Sequence, residues 1–587
     1  AEELVAKYLP TALYLIMEKL KEIHQVPDDR IKYAIHSFLQ ADEKLDMAKA
    51  LIWVASACNQ PDLNTMVDEI FFRAYKKIPN VGAVQKLLGN ACIYSTQQLP
   101  TEKALTTLMK WERKISYPSV KKLIRKQMER LAEADGQSLA DFLDNLIPAF
   151  PLTADGVVGE DLDGYRARLH EGKGRLSIKW LTPQNKIQKG VPQAVKKAFP
   201  DELKAIKQTV KDMEEYFKSV KTSLEASYLK LTAWTPEQWK ARFVDAPLTA
   251  LLGKKLIWRG KMGDTYFHGM WNEDHFYNYQ DIKAPLEALE EITLWHPVYS
   301  VQEEVLFWRE ELIHREVTQP FKQAFRELYL LTDAEQTTRT YSNRFAAHIL
   351  RQHVFHALCQ QRDWKYTLQG SWDSHNTPVK QIPDHELEVS FAVDADYDGE
   401  TFASGIYTCV LTDRVEFHKN REFGAIPLEE IDPLVLSEVM RDVDLFVGVC
   451  SIGSDPNWQN RGEVRHRNYW NDTAFGDLGQ SANERKDLLK RILPMLKIRK
   501  QVSIEGRFLV VRGHMRSYKI HLGSGNILMS PNDQYLCIVP AQKSDTGNIF
   551  LPFEGDRMLS IILSKALMLA EDRKIKDPTI TRQILER

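Results

Sequence analysis

The sequence predicts a multidomain protein, mainly α-helical, with α+β structure towards its C-terminal end. Three observations lead to this prediction: a length of 587 residues, apolar residues at helical spacing near the front, and short β-type runs separated by glycine and asparagine turns near the end. A domain usually takes about 100–200 residues, so the chain is long enough for several. We expect a HEAT-like α-helical region over residues 1–150, a mixed helical region with small β insertions over residues 151–330, and a C-terminal α+β domain over residues 331–587.

The composition limits the classes of protein that this chain can represent. With 43% hydrophobic and 27% charged residues, it is typical of a folded globular protein, and this composition argues against extended disorder. The net charge of −2 argues against a protein dominated by the electrostatics of nucleic-acid binding. No apolar run in the sequence reaches the roughly 20 residues of a membrane-spanning helix.

The cysteines indicate the redox compartment of the protein, and the first residues indicate how the chain begins. The six cysteines are scattered and none forms a CxxC pair, which favours reduced, mostly buried thiols in a cytoplasmic protein. The chain starts AEELVAKYLP, without a methionine and already within a helical pattern. We therefore expect it to be a piece of a longer protein.

The front of the chain is predicted to be a stack of helices. Its clearest unit is the stretch 104–136, in which a helix, a short turn at Pro118, a second helix and a closing glycine follow one another. This layout resembles a HEAT-type helical pair and predicts a degenerate α-solenoid with a large surface for partners. An irregular helical bundle that only supports the rest of the chain is the alternative.

Residues 151–330 combine short strands with a long charged helix. We predict strands over residues 165–170, 175–181 and 186–190, a helix over residues 201–231 and a β-hairpin over residues 256–268. Asp155, Asp161 and Asp163 suggest calcium, but the twelve-residue ligand spacing of an EF-hand is missing, so no metal site is predicted. Arg326 and Glu327 lie among apolar neighbours, which favours a buried ion pair over a catalytic role.

The back half is predicted to alternate helices with core strands. We expect one long helix over residues 333–362, whose histidines lack the i,i+4 spacing and nearby carboxylate of a helical metal site. Further on, a helix that opens at Pro433 is predicted to give way to an apolar strand over residues 445–450. Charged residues near this junction are costly to bury unless each has a partner or a function; they are Glu438, Arg441, Asp442 and Asp444.

The stretch 507–540 contains the candidate ligand site. Residues 517–522 alternate polar and apolar, which is typical of a strand with one wet face. The turn that follows is rich in glycine, which permits positive φ, so successive amides can point the same way and bind an anion; it consists of Gly523, Ser524, Gly525 and Asn526. Lys519 and His521 lie two residues apart on the strand and therefore project to one face, beside this turn.

This turn is predicted to form a pocket for phosphate, nucleotide or carboxylate. His514 and Arg516, just upstream, supply further cationic or hydrogen-bonding groups, and Arg441 is the candidate from the earlier helix. The alternative is a tight hairpin in which the glycines serve only to reverse the chain and Lys519 is solvated.

Several blocks of the sequence, in order, resemble the bacterial domain of unknown function found in MolR-like proteins, a group labelled as regulators of molybdate metabolism. These blocks are QPFKQAFRELYLLTDAEQ, YSNRFAAHIL, LSEVMRDVDLFVGVCSIGSDPNW, AFGDLGQSANERKDLLKRILPMLKI, YKIHLGSGNILMSPNDQYLCIVP and SKALMLAEDRKIKDPTITRQI. The resemblance implies a multi-protein system with a MoxR-type AAA+ ATPase and a von Willebrand A-type protein as partners. It supplies no catalytic residues.

The sequence leaves three functions open. The first is an intracellular interaction or regulatory protein, with a helical platform for partners and a C-terminal domain that binds a small anion or nucleotide. The second is an enzyme acting on a nucleotide or phosphoester, in which Lys519 and His521 hold an anion, Arg441 or His514 assists, and the acid/base is Glu438, Asp442 or Asp444. An ADP-ribosyltransferase-like site is a variant of this reading, because a histidine-containing strand, the segment 564–566 and a late acidic residue occur in that order.

The third function is nucleic-acid binding through a basic amphipathic helix. This helix is predicted over residues 483–496, and solvated helix faces commonly carry similar charge. Its basic residues, with those that follow, are Arg485, Lys486, Lys490, Arg491, Lys497, Arg499 and Lys500.

Overall fold

A computed structural model describes residues 2–25, 42–78, 82–115, 117–134, 136, 139, 150–172, 174–371, 376–420, 422, 424–456, 458, 464–539 and 549–586. The chain divides into two compact units, Ala1–Phe150 and Pro151–Arg587, called here the helical unit and the mixed unit. Residues on both sides of position 330 therefore belong to the same unit.

The helical unit contains amphipathic helices around an apolar core. Its described helices are α1 (Glu2–Gln25), α2 (Asp42–Cys58), α3 (Pro61–Ala74), α4 (Lys86–Ser95), α5 (Thr101–Lys114) and α6 (Pro118–Ala134), and one short hairpin joins β1 (Lys77–Ile78) to β2 (Gly82–Ala83). The predicted helical pair corresponds to α5 and α6, with Pro118 as the first residue of α6. Phe71 stacks on Trp111 with ring centroids 4.1 Å apart, which fixes α3 against α5.

The first half of the mixed unit has two antiparallel sheets. The first joins β3 (Arg166–Gly172), β4 (Arg175–Leu181) and β5 (Ile187–Gln188), and the second has the order β10-β6-β7-β8-β9, built from β6 (Ile257–Met262), β7 (Thr265–Asn272), β8 (His275–Tyr277), β9 (Lys283–Pro285) and β10 (Glu291–Leu294). The helices of this half are α7 (Gln193–Ala198), α8 (Pro200–Ala226), α9 (Pro236–Lys240), α10 (Ala250–Gly253) and α11 (Gln302–His314). The predicted strands, the hairpin and the long charged helix are confirmed.

The second half has two further sheets. The third sheet has the order β11-β15-β14-β13, with β12 also on β15, and its strands are β11 (Tyr341–Ser342), β12 (Ile349–Arg351), β13 (Val379–Ile382), β14 (Leu387–Ala395) and β15 (Cys409–Lys419). The fourth is a meander of β16 (Val502–Glu505), β17 (Phe508–Arg512), β18 (Ser517–His521), β19 (Ile527–Met529) and β20 (Gln534–Leu536). The helices are α12 (Asp333–Thr338), α13 (Gln352–Gln361), α14 (Pro433–Cys450), α15 (Arg467–Phe475), α16 (Gln480–Ile492), α17 (Arg557–Ala570) and α18 (Pro578–Leu585).

Two predicted elements of this half are wrong. The single helix over residues 333–362 is instead α12, β11, β12 and α13, because Arg339 and Ala347 have φ of 64° and 61°, which no α-helix tolerates. The strand over residues 445–450 is the last part of α14. Phe446, Val447 and Cys450 continue the buried face of α14, so the apolar run is helical in period.

One apolar core connects distant parts of the mixed unit. Residues of the second sheet and α11, such as Ile257 and Trp308, pack with residues of the fourth sheet and α17, such as Tyr518 and Leu563. The third sheet shares a separate core with α13 and α14. Within the described residues, no helix has the length and apolar content needed to cross a membrane.

Candidate functional site

The predicted turn between β18 and β19 is closed by its own hydrogen bonds. Ser524 donates its backbone N–H to His521 Nδ1 at 3.1 Å, Gly525 donates to the His521 carbonyl at 2.9 Å, and Asn526 donates to Ser524 Oγ at 3.2 Å. The prediction that these amides open towards solvent is therefore wrong. The reason is that the His521 and Ser524 side chains fold back and serve as local acceptors, which the glycine pattern does not reveal.

His521 has a structural role in this turn. It is 1% exposed, and its Nε2 donates to the Gly476 carbonyl at 2.9 Å while Nδ1 accepts from Ser524. Burial lowers the pKa of His521 to about 4, so the ring is neutral near pH 7. A neutral ring with both nitrogens occupied cannot supply positive charge to an anion. Asn526 also faces inwards, donating from Nδ2 to the Gly453 carbonyl at 3.0 Å.

The other cations predicted for this turn lie elsewhere. Lys519 is on the same face of β18 as His521 but pairs with Asp533 at 2.9 Å. Arg516 donates to the Glu586 carbonyl at 2.8 Å, and the His514 ring is 4.0 Å from Glu571. The structure thus does not bring Lys519, His514 and Arg516 together around Gly523–Asn526.

Three of the predicted residues do meet, in a different place. Arg441, Asp444 and Gly523 line a cavity of about 330 Å³ in the mixed unit, called here the charged cavity. Its walls come from α8, the segment 320–327, the residue that follows α13, α14, α16, the β18–β19 turn and the segment 554–558 at the start of α17. Among the described residues, the charged side chains that line it are the cations Lys221, Lys322, Arg362, Arg441, Arg485 and Arg557 and the carboxylates Glu225, Glu327, Asp444, Glu554 and Asp556.

A buried ion pair lies next to this cavity, where Arg326 contacts the lining residue Glu225. Arg326, 1% exposed, donates to Glu438 through Nε at 2.6 Å and Nη2 at 2.5 Å, and His296 Nε2 lies 3.2 Å from the same carboxylate. Burial alone would raise the pKa of Glu438, but Arg326 and the bonds from Arg326 and His296 hold it well below its ordinary value. The prediction that Arg326 is ion-paired is confirmed, although its partner is Glu438 and not Glu327.

Three guanidinium groups lie close to one carboxylate, that of Glu225, which lines the cavity. The carboxylate Oε1 of Glu225 lies 3.2 Å from Arg326, 3.3 Å from Arg441 and 3.9 Å from Arg362. Burial alone would raise the pKa of Glu225, but these three arginines lower it. Arg326 and Arg441 have closer carboxylate partners in Glu438 and Glu327, whereas Arg362 does not.

Arg441 and its neighbours form a second set of pairs. Arg441 Nε donates to Glu327 at 2.9 Å, and Glu327 also pairs with Lys322 at 2.5 Å. Lys322 and Arg485 both reach Asp556, at 2.9 and 3.3 Å. Burial alone would raise the pKa of Glu327, whereas Lys322 and Arg441 lower it to about 2. These carboxylates are therefore ionised at neutral pH.

Two lining arginines have spare hydrogen-bonding capacity. Arg362 approaches Glu225 and Asp442 only at 3.9 and 3.8 Å, beyond the length of a charge-assisted hydrogen bond. Arg557 is exposed and makes no ion pair with a residue that the structure describes. Asp444 accepts from the Tyr329 hydroxyl at 2.7 Å. Glu225, Arg362 and Arg557 were not predicted, since none of them belongs to a sequence motif.

The predicted acid/base residues are mostly engaged. Glu438 is enclosed by Arg326 and His296, and Asp442 accepts from Lys380 at 2.7 Å and from Trp364 Nε1 at 3.0 Å. Of the predicted acid/base residues, only Asp444 lines the cavity. Glu554, which the sequence did not single out, differs from the others: burial raises its pKa, and it pairs with Lys221.

The structure also shows the contacts of the segment 564–566 and of the basic helix, on which the ADP-ribosyltransferase and nucleic-acid hypotheses depend. Lys565, in the segment 564–566, is buried within α17 and donates to the Gly525 carbonyl at 2.7 Å. In the basic helix α16, Arg485 is 9% exposed and donates to the Leu522 carbonyl at 2.7 Å, so it belongs to the cavity and not to a solvent-facing patch. Arg491 pairs with Glu310 at 2.7 Å. Within the described residues, no group of three or more metal-ligating side chains is present.

Two family models match parts of the chain, and both describe domains of unknown function. The family model described as "Domain of unknown function (DUF4132)" matches residues 186–364, and "Domain of unknown function (DUF7737)" matches residues 482–584. The charged cavity takes side chains from both matched stretches and from α14, which lies between them.

A particular relative is the uncharacterized protein YehI of Escherichia coli strain K12. It is 27% identical over 226 residues, which cover 36% of this chain and 18% of that protein. No solved structure matches. The resemblance to MolR-like proteins stays a prediction, because neither family model has that description.

Proposed function

We propose that this chain is an interaction or regulatory protein whose mixed unit binds a small molecule bearing a phosphate or carboxylate in the charged cavity. The observation that favours this proposal is the spare donor capacity of two lining arginines: Arg362 lies 3.8–3.9 Å from its described carboxylate neighbours, and Arg557 makes no ion pair with a described residue. Arginine recognises phosphate and carboxylate through paired N–H donors. A cavity of about 330 Å³ lies within the usual size of small-ligand sites.

Binding explains the electrostatics of the site better than catalysis does. A general acid or base needs a pKa near the working pH, whereas the pKa values of Glu225, Glu327 and Asp556 are all lowered by neighbouring cations. Such carboxylates orient and partly neutralise arginines, as a pre-organised binding site requires.

The wider role rests on the family resemblance and on the helical unit. We propose that the helices of residues 1–150, as a HEAT-like platform, contact partner proteins of a bacterial cytoplasmic system. The resemblance implies that these include a MoxR-type AAA+ ATPase and a von Willebrand A-type protein.

Thermal unfolding of the full chain with inorganic phosphate, ATP or NAD tests the binding proposal. At a ligand concentration of about 100 times Kd, binding stabilises the folded state by about 2.7 kcal/mol, which raises Tm by a few degrees. The double variant Arg362→Gln, Arg557→Gln should lose this rise. The control Arg414→Gln, on an exposed arginine paired with Glu416, should keep it. No rise with any of the ligands, or an equal rise in the double variant, would contradict the proposal.

A second candidate function, an enzyme acting on a nucleotide or phosphoester, is favoured by one observation. Glu554 lines the cavity with a raised pKa, which suits a general acid or base. Mass spectrometry of ATP and NAD after incubation tests this function. An enzyme should give products that Glu554→Gln abolishes while the ligand-induced Tm rise persists; unchanged ligands would leave binding as the role.

A further inference from the structure

An arginine on the second sheet lies between two aromatic rings. The Arg259 guanidinium carbon is 3.5 Å from the ring centroid of Tyr266 and 4.1 Å from that of Tyr299. Arg259 is on β6, Tyr266 is on the adjacent β7, and Tyr299 lies in the turn after β10. These three residues, called here the arginine clamp, are not among those that line the charged cavity.

The Arg259 guanidinium has no counter-charge within the described part of the chain. It makes no hydrogen bond or ion pair with a described residue, and its Nε is buried without a partner. Its terminal nitrogens remain accessible to solvent. Burying part of a charged group without a hydrogen bond is costly, so an unmet donor of this kind calls for an explanation.

Arg326 of the same unit is a buried arginine that has both an aromatic and a carboxylate partner. Its guanidinium carbon lies 4.4 Å from the Tyr228 ring centroid, much as Arg259 does from its tyrosines, but Glu438 also accepts two of its hydrogen bonds. In the arginine clamp the rings are present and the carboxylate is missing among the described residues. Asp432, whose charge acts on Tyr299, caps α14 by accepting from the Leu434 N–H at 2.7 Å and makes no ion pair with Arg259.

The surroundings of the clamp resemble a protein interface more than an enclosed small-molecule site. Tyr266 and Tyr299 are 50% and 38% exposed, and Val301 beside them is 61% exposed. Arginine and tyrosine are enriched at the energetic centres of interfaces, where aromatic rings hold the guanidinium in place and exclude water from its faces. The accessible edge with Nη1 and Nη2 has the geometry to bind a carboxylate with two parallel hydrogen bonds.

We infer that the arginine clamp is a docking site that receives an Asp or Glu side chain from an acidic segment of a partner protein. The inference names the chemistry of a partner for the interaction role proposed above, and it does not depend on ligand binding in the charged cavity. In the clamp, the partner's carboxylate accepts hydrogen bonds from Arg259 as the Glu438 carboxylate does from Arg326.

Fluorescence anisotropy of labelled hexaglutamate with the full chain at low ionic strength tests this inference, with labelled hexaglutamine as the uncharged comparison. Hexaglutamate should bind more tightly than hexaglutamine. Arg259→Gln should weaken hexaglutamate binding on the order of 10-fold, because one charge-assisted contact is lost. Arg259→Lys should also weaken it, since an ammonium cannot make the planar pair of hydrogen bonds. The control Arg414→Gln, on an exposed arginine that pairs with Glu416 and belongs to neither the clamp nor the charged cavity, should leave the affinity unchanged.

Other outcomes would overturn the inference. Equal affinity for the two peptides, or unchanged hexaglutamate affinity in Arg259→Gln, would show that the clamp does not bind carboxylates. Displacement of hexaglutamate by an equal concentration of inorganic phosphate would assign the clamp to small oxyanions and not to a protein. Arg259→Gln breaks no described ion pair, so the Tm of this variant should stay within a few degrees of the Tm of the parent protein. A second variant, Tyr266→Leu, removes one ring of the clamp and keeps the charge, and it should also weaken hexaglutamate binding.

Discussion

In the helical unit, each described ion pair has at least one side chain that is a third or more exposed, and in the pair of Lys19 with Glu22 the two are 52% and 62% exposed. In the mixed unit, Arg326 and Glu438 are 1% and 6% exposed, and the pairs of Lys322 with Glu327 and Asp556 are nearly as buried. Both units have apolar cores, so the two units differ in buried charge and not in the presence of a core. The buried charges of the mixed unit lie around the charged cavity, where they are consistent with the binding role proposed above.

The largest expected effect comes from breaking the buried pair. Arg326→Gln leaves Glu438 buried and short of its main partner, which should reduce the free energy of unfolding of the mixed unit by about 3–5 kcal/mol. Hydrogen exchange of the full chain, read on peptides from residues 320–330 and 433–450, measures this loss. The double variant Arg326→Met, Glu438→Leu removes both charges and should recover most of it. A loss below about 1 kcal/mol in the single variant would contradict a strong role for this pair.

Acid should destabilise the mixed unit through the same network. Glu327 ionises near pH 4.5 in the unfolded chain and near pH 2 in the folded one. Because folding lowers this pKa, the stabilisation is complete above about pH 5 and falls progressively as the pH drops towards 2, by about 3 kcal/mol for this group. Urea unfolding monitored by hydrogen exchange between pH 7 and pH 2.5 measures the decline. Glu327→Gln, less stable at pH 7, should show a smaller decline, and an equal decline would exclude Glu327 as its source.

The smallest effect is expected in the helical unit. Arg125 pairs with Glu112 at 2.5 Å, but the arginine side chain is 70% exposed. Arg125→Gln should change the free energy of unfolding of this unit by less than about 1 kcal/mol, because exposed ion pairs contribute little in water. Hydrogen exchange on peptides from α5 and α6 checks it. A loss comparable to that of Arg326→Gln would remove the contrast between the two units.

Prediction from the sequence succeeded where a pattern is local. The pair α5 and α6 follows from apolar spacing and from Pro118, and β18 of the fourth sheet follows from the alternation of polar and apolar residues over 517–522. It failed over residues 333–362, where the helical spacing is interrupted by positive φ at Arg339 and Ala347. It also failed at the turn of Gly523–Asn526, whose amides bond to His521 and Ser524 and so leave no open anion site.

The sequence by itself determined most of the helical and strand segments and the presence of charged residues near residue 440, because apolar period and turn chemistry act over a few residues. Only the tertiary structure decided which charges meet. Arg326 and Glu438 are 112 positions apart, and Arg441 and Glu225 are 216 apart. Packing of distant elements sets these distances, and the energy of a charge depends on its depth and its partners. Neither quantity is encoded by the residues beside it in the chain.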